Sequence, residues 1–204
     1  MTARLPSSPV GFGIVGLGMV ADFHAQAIAV VKGAKLVGVA SRNAGKIQVF
    51  AAKHHVPFQT TDLAALVARP DVHVVCITTP SGAHLEPALV AIRAGKHLVI
   101  EKPLEITLAR TDEILRAADL AGVRIAPIFQ GRFGEGARTV KAALDAGRLG
   151  RLVLASTYVK WHRTAQYYTP PRGLHANDGG GAVMTQAIHS LDLLQWFVGL
   201  PVEV

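Results

Sequence analysis

The sequence predicts an α/β protein in which a doubly wound parallel sheet is followed by a smaller, incomplete second α/β domain. Short apolar, β-branched segments alternate with longer amphipathic segments, and this alternation stops near residue 125. Hydrophobic residues make up 50% of the chain and charged residues 17%, a composition that can bury a core and argues against disorder. We expect a first domain over residues 1–125 and a second over 126–204.

Strands and helices alternate throughout the expected first domain. The apolar runs predict buried strands at 11–16, 35–40, 72–78, 97–101 and 123–129. Amphipathic periodicity predicts helices at 18–32, 43–55, 62–68, 83–95 and 107–121. Asp62 is placed to cap the start of the third helix, while Gly95 and Gly122 are placed to end the fourth and fifth.

The pattern changes after residue 125. It predicts a basic amphipathic helix at 136–147, an alternating strand from Leu152 to Trp161, a polar loop at 164–181 and a helix at 182–198. The last residues, LPVEV, resemble the start of a further strand. Because a sheet of one or two strands cannot cover its own apolar face, we expect the second domain to be truncated.

Charge and composition narrow the classes of function. The formal net charge is +7, which favours an anionic cofactor, but the basic residues are dispersed and do not predict nucleic-acid binding. No apolar run approaches the ~20 residues of a membrane span. The single cysteine, Cys76, cannot form an internal disulfide and lacks the clustering of a zinc site. These features predict a cytoplasmic protein without a metal site.

A glycine-rich turn follows the first strand and opens the first helix. Residues 16–21 read GLGMVA, which matches G-x-G-x-x-[GA] in the context that dinucleotide sites require. Gly16 would permit the tight turn, Gly18 would let the backbone approach a pyrophosphate, and Ala21 would allow close helix packing. Met19 and Val20 open the helix whose N-terminus would bind the anion. The alternative is a turn that serves packing alone.

The end of the second strand indicates which dinucleotide is bound. NAD sites usually place an acidic residue there to bind the ribose hydroxyl, whereas this chain has Ser41 and Arg42. A guanidinium and a hydroxyl suit a 2′-phosphate, so the sequence favours NADP over NAD. The alternative is that Arg42 is an ordinary solvent-facing residue and that either cofactor is accepted.

Two polar segments end the strands that should border the nicotinamide. Thr79 and Pro80 follow one strand, and Glu101 and Lys102 follow the next. Ligands of open α/β sheets lie beyond the carboxyl ends of the strands, which places all four residues at the predicted cofactor site. Lys102 could act there as an acid or base or hold a substrate hydroxyl. The alternative is a surface lysine at a strand end.

The order of these motifs resembles the Gfo/Idh/MocA family of oxidoreductases. The resemblance covers residues 10–200 and rests on GxGxxA, on TPS, on AGKHLVIEKP and, far downstream, on GGGAVMTQAIHSLDLLQW. It implies a Rossmann domain followed by an α/β domain with an open sheet. It also implies that Lys102 and His189 flank the substrate and carry the catalysis.

Further features are Arg163 with Tyr167 and Tyr168, then DGGG at 178–181, then Thr185 and Gln186. They resemble the nucleotide-sugar branch of that family, near enzymes that oxidise the 3-hydroxyl of UDP-N-acetyl sugar acids. Thr185 stands where the family often has an aspartate one turn before the histidine, and threonine cannot stabilise an imidazolium as a carboxylate does. The branch resemblance makes Arg163, Tyr168 and Thr185 candidate substrate ligands. Arg132, in a QxRF segment, is a further candidate, with a structural ion pair as its alternative.

The predicted function is hydride transfer between NADP or NAD and a sugar or nucleotide sugar, in a full-length form that is a homo-oligomer. Lys102 or His189 would take the hydroxyl proton while the other fixes the sugar. A non-catalytic dinucleotide-binding regulator and an inactive fragment of such an enzyme are the alternatives. Neither a membrane nor nucleic acid is expected as a partner. His24, His84 and His97 are expected to pack or cap, not to bind ligands.

Overall fold

Six parallel strands form one sheet in the order β3-β2-β1-β4-β5-β6. The computed structural model describes residues 9–169 and 174–203, and the chain divides into two units, Met1–Pro127 and Ile128–Val204. The sheet lies in the first unit, and the predicted doubly wound α/β fold is confirmed. Its strands are β1 (Val10–Val15), β2 (Ala34–Ala40), β3 (Phe58–Thr60), β4 (Val74–Ile77), β5 (His97–Ile100) and β6 (Ile125–Pro127).

The strand order reverses between β1 and β4. From β1 the chain winds outward through β2 to β3, and it then returns to β4 on the other side of β1 and winds outward through β5 to β6. Val15 pairs with Ile77 at the carboxyl ends of the two central strands. The loops that follow these strands diverge from this point, which is where open α/β sheets form their ligand crevice.

Helices cover both faces of the sheet. Along β4, Val75 and Ile77 belong to one apolar cluster and Cys76 belongs to the other, because successive strand residues point to opposite faces. All four residues of β4 are buried, as expected for a central parallel strand. The helices of this unit are α1 (Met19–Val30), α2 (Ala44–His54), α3 (Leu63–Val67), α4 (Leu85–Arg93) and α5 (Leu108–Ala121).

Local signals fix several helix ends as the sequence predicts. The Asp62 carboxylate accepts a hydrogen bond from the Ala64 N–H at 2.8 Å and caps α3. Gly122 takes the left-handed conformation after α5, with φ of +64°, and Gly95 does so after α4, with φ of +70°. These three predictions are confirmed.

Strand β3 is absent from the sequence prediction. It spans three residues, of which Gln59 is polar, so it lacks the apolar run by which buried strands are recognised. It forms only by pairing with β2, where Gly38 lies opposite Phe58 and Ala40 opposite Thr60. The sheet therefore has one more strand than predicted.

The described residues of the second unit contain helices but no strand. The unit contains α6 (Glu135–Asp145), α7 (His175–Asp178) and α8 (Ile188–Val198), with a π-helical segment at Val183–Ala187. The single helix predicted at 182–198 thus begins in π-helical geometry and continues as α8. The Gln130–Phe133 turn packs on α8, since a Cβ added to Gly131 would lie 3.3 Å from the side chain of Leu193.

The strand predicted from Leu152 to Trp161 is wrong for the structure as described. Residues 152–161 have no regular secondary structure, and Val153, Leu154 and Tyr158 are exposed. A strand exists only when a neighbour satisfies its backbone hydrogen bonds, and residues 128–169 and 174–203 offer no strand to pair with. Across all the residues described, no helix is long and apolar enough to cross a membrane.

Candidate functional site

The loop after β1 lies against the segment that follows β4. Gly16 has φ of +88°, and a Cβ added to it would lie 2.8 Å from the backbone nitrogen of Thr79. The Thr78 hydroxyl donates a hydrogen bond to the carbonyl of Gly16 at 2.5 Å, which holds the two segments together. Only glycine suits this position, both for its backbone angle and for the space.

Gly18 faces open space at the start of α1. It has an extended backbone, with φ of −97°, and no atom lies within 4 Å of the position that a Cβ would occupy. Met19 is 64% exposed, whereas Ala21 is buried under the helix. The backbone amides at the start of α1 therefore face an open surface that a pyrophosphate can approach.

The end of β2 continues directly into the capped start of α2. Ser41 donates its N–H to the carbonyl of Thr60 at 3.3 Å, and Arg42 is exposed. The Asn43 side chain accepts from the Lys46 N–H at 3.0 Å and so caps α2. This turn sets Ser41 and Arg42 at the same edge of the sheet as the glycine loop.

A groove of about 580 Å³ lies between the first turn of α1 and the length of α2. Gly18, Met19, Asn43 and Lys46 are among the residues that line it. Lys46 is one of the residues that the sequence analysis did not single out. The sequence signal that could have identified Lys46 is its position in the first turn of the helix that Asn43 caps.

Asp22 places a carboxylate in this groove. His54 Nε2 lies 2.6 Å from Asp22 Oδ1, and the Lys53 ammonium donates to the same oxygen at 2.9 Å. These hydrogen bonds, with that of His54 the larger, hold the pKa of Asp22 below its ordinary value. Lys53 and His54, at the end of α2, thereby hold the Asp22 carboxylate in place beside the glycine loop.

Glu101 and Lys102 follow β5 at the same edge of the sheet. The Glu101 N–H donates to the carbonyl of Ile77, which ties the end of β5 to the end of β4. The Glu101 carboxylate lies 2.9 Å from His24 Nε2 on α1 and accepts the N–H of Lys102 at 3.3 Å. Lys102 is partly buried. His24 therefore anchors a strand-end carboxylate, a contact that its position in the sequence did not reveal.

Thr79, before the exposed Pro80, completes the crevice between β1 and β4. Its hydroxyl donates to the carbonyl of Ala83 at 2.8 Å, which closes the short turn before α4. Cys76 lies beneath the crevice in β4, where burial raises the pKa of its thiol to about 12. At neutral pH that thiol stays protonated.

In the second unit, two of the four predicted substrate residues, Arg163 and Tyr168, lie against Tyr167. The guanidinium of Arg163 lies 5.2 Å from the ring centre of Tyr167, and Tyr168 meets the same ring edge-on at 5.2 Å. The hydroxyl of Tyr167 accepts a hydrogen bond from the Gln186 amide at 2.8 Å. Arg163 also lies over Trp161. The structure thus brings Arg163 and Tyr168 together.

His189 lies in the first turn of α8, directly after the π-helical segment. Within that segment the hydroxyl of Thr185 donates to the carbonyl of Gly181 at 2.8 Å. Single π-helical turns are frequent at functional sites because they change the direction of the side chains that follow. The helical period used in the sequence analysis could not show this change.

Arg132 makes the ion pair that was the alternative to its substrate role. Its Nε and Nη2 donate to the two carboxylate oxygens of Asp192 at 2.8 and 2.6 Å, and the Asp192 side chain is almost fully buried. This bidentate contact fixes the Gln130–Phe133 turn on α8. Over residues 9–169 and 174–203, no group of three or more His, Cys, Asp or Glu side chains could hold a metal ion.

Comparison with known proteins finds matches over both units. Residues 10–129 match the family model described as "Oxidoreductase family, NAD-binding Rossmann fold", and residues 137–204 match the "GFO/IDH/MocA C-terminal domain". Inositol 2-dehydrogenase of Salmonella typhimurium is 30% identical, over 91% of this chain and 54% of its own length. The 1,5-anhydro-D-fructose reductase of Ensifer adhaerens is also 30% identical, over 91% of this chain and 55% of its own.

The solved structures include a WlbA dehydrogenase from Bordetella pertussis in complex with NADH and UDP-GlcNAcA. It is 33% identical, with a TM-score of 0.89, and the match covers 96% of this chain and 57% of that one. The chain therefore spans about half the length of the proteins that it matches.

Proposed function

Because this chain belongs to the Gfo/Idh/MocA family of oxidoreductases, we propose that it binds a nicotinamide dinucleotide at the crevice between β1 and β4 and serves hydride transfer to or from a sugar or nucleotide sugar. The observation that carries the proposal is the geometry of the glycine loop. Gly16 packs closely against Thr79, whereas the space beside Gly18 is open. This arrangement presents the start of α1 to a pyrophosphate at the point where the strand order reverses.

The proposal assigns the dinucleotide along the edge of the sheet. Gly16, Gly18, Met19 and Val20 would hold the pyrophosphate through backbone amides. Thr79, Pro80, Glu101 and Lys102 would border the nicotinamide, because they follow β4 and β5 on the other side of the crevice. Ser41 and Arg42 would hold the adenosine ribose at the end of β2.

We propose NADP as the preferred cofactor. The end of β2 carries no carboxylate to bind a ribose 2′-hydroxyl, and the exposed Arg42 supplies a positive charge instead. Lys46, in the neighbouring groove, adds a second positive charge. The B. pertussis structure contains NADH, so the preference rests on the residues of this chain.

The chemistry assigned to this chain is proton transfer and substrate positioning. When bound, the nicotinamide would supply the acceptor for the hydride, with its electron pair, that leaves the carbon bearing the hydroxyl. Lys102 Nζ or the His189 ring takes the hydroxyl proton as the carbonyl forms, and returns it in the reverse direction. The other residue of the pair holds the oxygen in place.

The substrate side of the proposal lies in the second unit. Arg163 and Tyr168 surround Tyr167, and Thr185 lies in the π-helical segment that precedes His189. A guanidinium beside aromatic rings suits a phosphorylated sugar or a carboxylated one. Because Nε and Nη2 of Arg132 donate to Asp192, Arg132 would bind substrate only through the remaining atoms of its guanidinium.

A substitution at Gly18 tests the cofactor site with little effect on the fold. Because nothing lies within 4 Å of its added Cβ and its φ is negative, Gly18→Ala fits the free protein but fills the space that a pyrophosphate needs. We expect affinity for NADH and NADPH to fall at least about tenfold in fluorescence titrations, with folding unchanged.

Gly136→Ala is the matched control for this substitution. Gly136 lies on α6 with open space at its added Cβ, so we expect its replacement to leave the affinity for both dinucleotides unchanged. Unchanged binding by Gly18→Ala would remove the glycine loop from the site.

A further inference from the structure

The His84 side chain connects the two segments that border the proposed nicotinamide site. It is 1% exposed and lies just before α4. Its Nε2 is 2.9 Å from the carbonyl oxygen of Thr79, and its Nδ1 is 3.0 Å from the carbonyl oxygen of Pro103. One imidazole ring therefore spans from the segment after β4 to the segment after β5.

Both of these contacts are to atoms that only accept hydrogen bonds. A ring that carries a proton on each nitrogen donates to both carbonyls, whereas a ring with one proton donates to one of them. A buried carbonyl group without a hydrogen-bond donor costs folding free energy, so hydrogen bonding to these carbonyls favours the ring in this position. Packing alone would not require a side chain with two opposed ring nitrogens, each facing a carbonyl oxygen.

A second contact ties the segment after β5 to the start of α4. The Glu105 side chain is fully buried and accepts from the N–H of Leu85 at 3.3 Å, from the N–H of Ile106 at 2.6 Å and from Arg110 at 3.0 Å. Burial alone would raise the pKa of Glu105, but the hydrogen bonds, with that of Arg110 the largest, leave it below its ordinary value. Leu85 follows His84 directly, so two adjacent residues contact the segment after β5 on either side of Leu104. His84 contacts Pro103, and Leu85 contacts Glu105.

We propose that His84 is a positioning residue that sets the separation between the Thr79–Pro80 segment and Lys102, and so the fit of the nicotinamide half of the cofactor. The proposal rests on the proposed function, which assigns both segments to that half. Lys102 precedes Pro103, and a shift of the Pro103 carbonyl moves the backbone of the proposed acid or base. Displacements of about 1 Å are enough to impair catalysis.

The test compares two ligands that share the adenosine and diphosphate parts but differ in the nicotinamide. NADH carries the nicotinamide and ADP-ribose lacks it, so the ratio of their affinities measures how well the nicotinamide half is held. In calorimetric titrations of the full chain, we expect His84→Ala to reduce this ratio about tenfold while affinity for ADP-ribose stays within about twofold. Unfolding would lower the number of binding sites and not the ratio.

His84→Gln and His97→Ala complete the set of variants. The glutamine amide can donate to one of the two carbonyls, so the ratio for His84→Gln should fall between those of wild type and His84→Ala. His97 is also buried, and its Nδ1 accepts the N–H of Arg124 at 3.0 Å, but it lies at the start of β5, at the opposite edge of the sheet. His97→Ala is expected to lower thermal stability and to leave the ratio unchanged.

The outcomes separate this inference from the proposed function. If wild type binds both ligands and His84→Ala keeps the wild-type ratio, the inference is overturned and the cofactor site stands. A wild-type protein that binds the two ligands equally well would also overturn it, because the two segments would then not hold the nicotinamide. If wild type binds neither ligand, the proposed function itself fails, and the inference fails with it.

Discussion

Replacing Arg42 gives the sharpest test of the cofactor assignment. The structure leaves this side chain exposed at the end of β2, beside Ser41 and the capped start of α2. If it binds a 2′-phosphate, Arg42→Ala should weaken NADPH binding and leave NADH binding nearly unchanged. The change should therefore appear in the ratio of the two affinities, which cancels any general loss of stability.

The expected magnitude follows from the environment of Arg42. A hydrogen bond to a charged group contributes roughly 1.5–3 kcal/mol, and a factor of ten in affinity corresponds to about 1.4 kcal/mol. Because Arg42 is exposed and solvent screens its charge, we take the lower end of that range, which predicts about a tenfold loss for NADPH. Lys46 remains in the neighbouring groove, so some preference for NADPH should persist.

The assay is titration of nicotinamide fluorescence with NADPH and NADH at low salt and at 0.15 M salt. Screening should reduce the NADPH preference of wild type more than that of Arg42→Ala. Arg93→Ala is the matched control, because it removes the same charge from an exposed arginine at the end of α4. Equal affinities for both cofactors in wild type, or equal losses with Arg42→Ala and Arg93→Ala, would refute the reasoning.

Three further predictions concern the proposed catalytic residue Lys102, the chain as a whole and the buried Glu105. In a version of this protein extended to the length of its relatives, Lys102→Met should leave NADPH affinity within a few-fold and lower turnover by about 10²-fold or more, measured by absorbance of NADPH; unchanged turnover would favour a regulatory role. The 204-residue chain should bind dinucleotide with little turnover and should self-associate in light scattering, since Val153, Leu154 and Tyr158 are exposed; rapid turnover by a monomer would contradict this. Glu105→Gln should cost about 1–3 kcal/mol in urea unfolding at pH 7, because Arg110 and two backbone amides lose their charged acceptor. Because the folded-state pKa of Glu105 lies below its ordinary 4.5, the wild-type advantage is present above pH 4.5 and should vanish as pH falls through that lower value; a constant difference at all pH values would exclude the ionised carboxylate as its source.

The sequence predicts the features of this protein that depend on local chemistry. The alternation of apolar and amphipathic segments predicts the doubly wound sheet, because that pattern is itself the burial pattern of βαβ units. The Asp62 cap and the glycines after α4 and α5 follow from backbone rules that act within a few residues. The glycine loop could be found because its function depends on glycine at fixed spacings along one turn.

Tertiary structure decides the features that require a partner distant in the sequence. Strand β3 forms because β2 supplies its hydrogen bonds, and residues 152–161 form no strand because the described part of the second unit offers no such neighbour. Arg132 has a carboxylate partner 60 residues away, which no spacing rule reveals. His84 likewise joins Thr79 to Pro103 only because parallel strands bring their ends to one edge of the sheet. By itself, the sequence determined which residues follow each strand, and the folding of the sheet determined which of them meet.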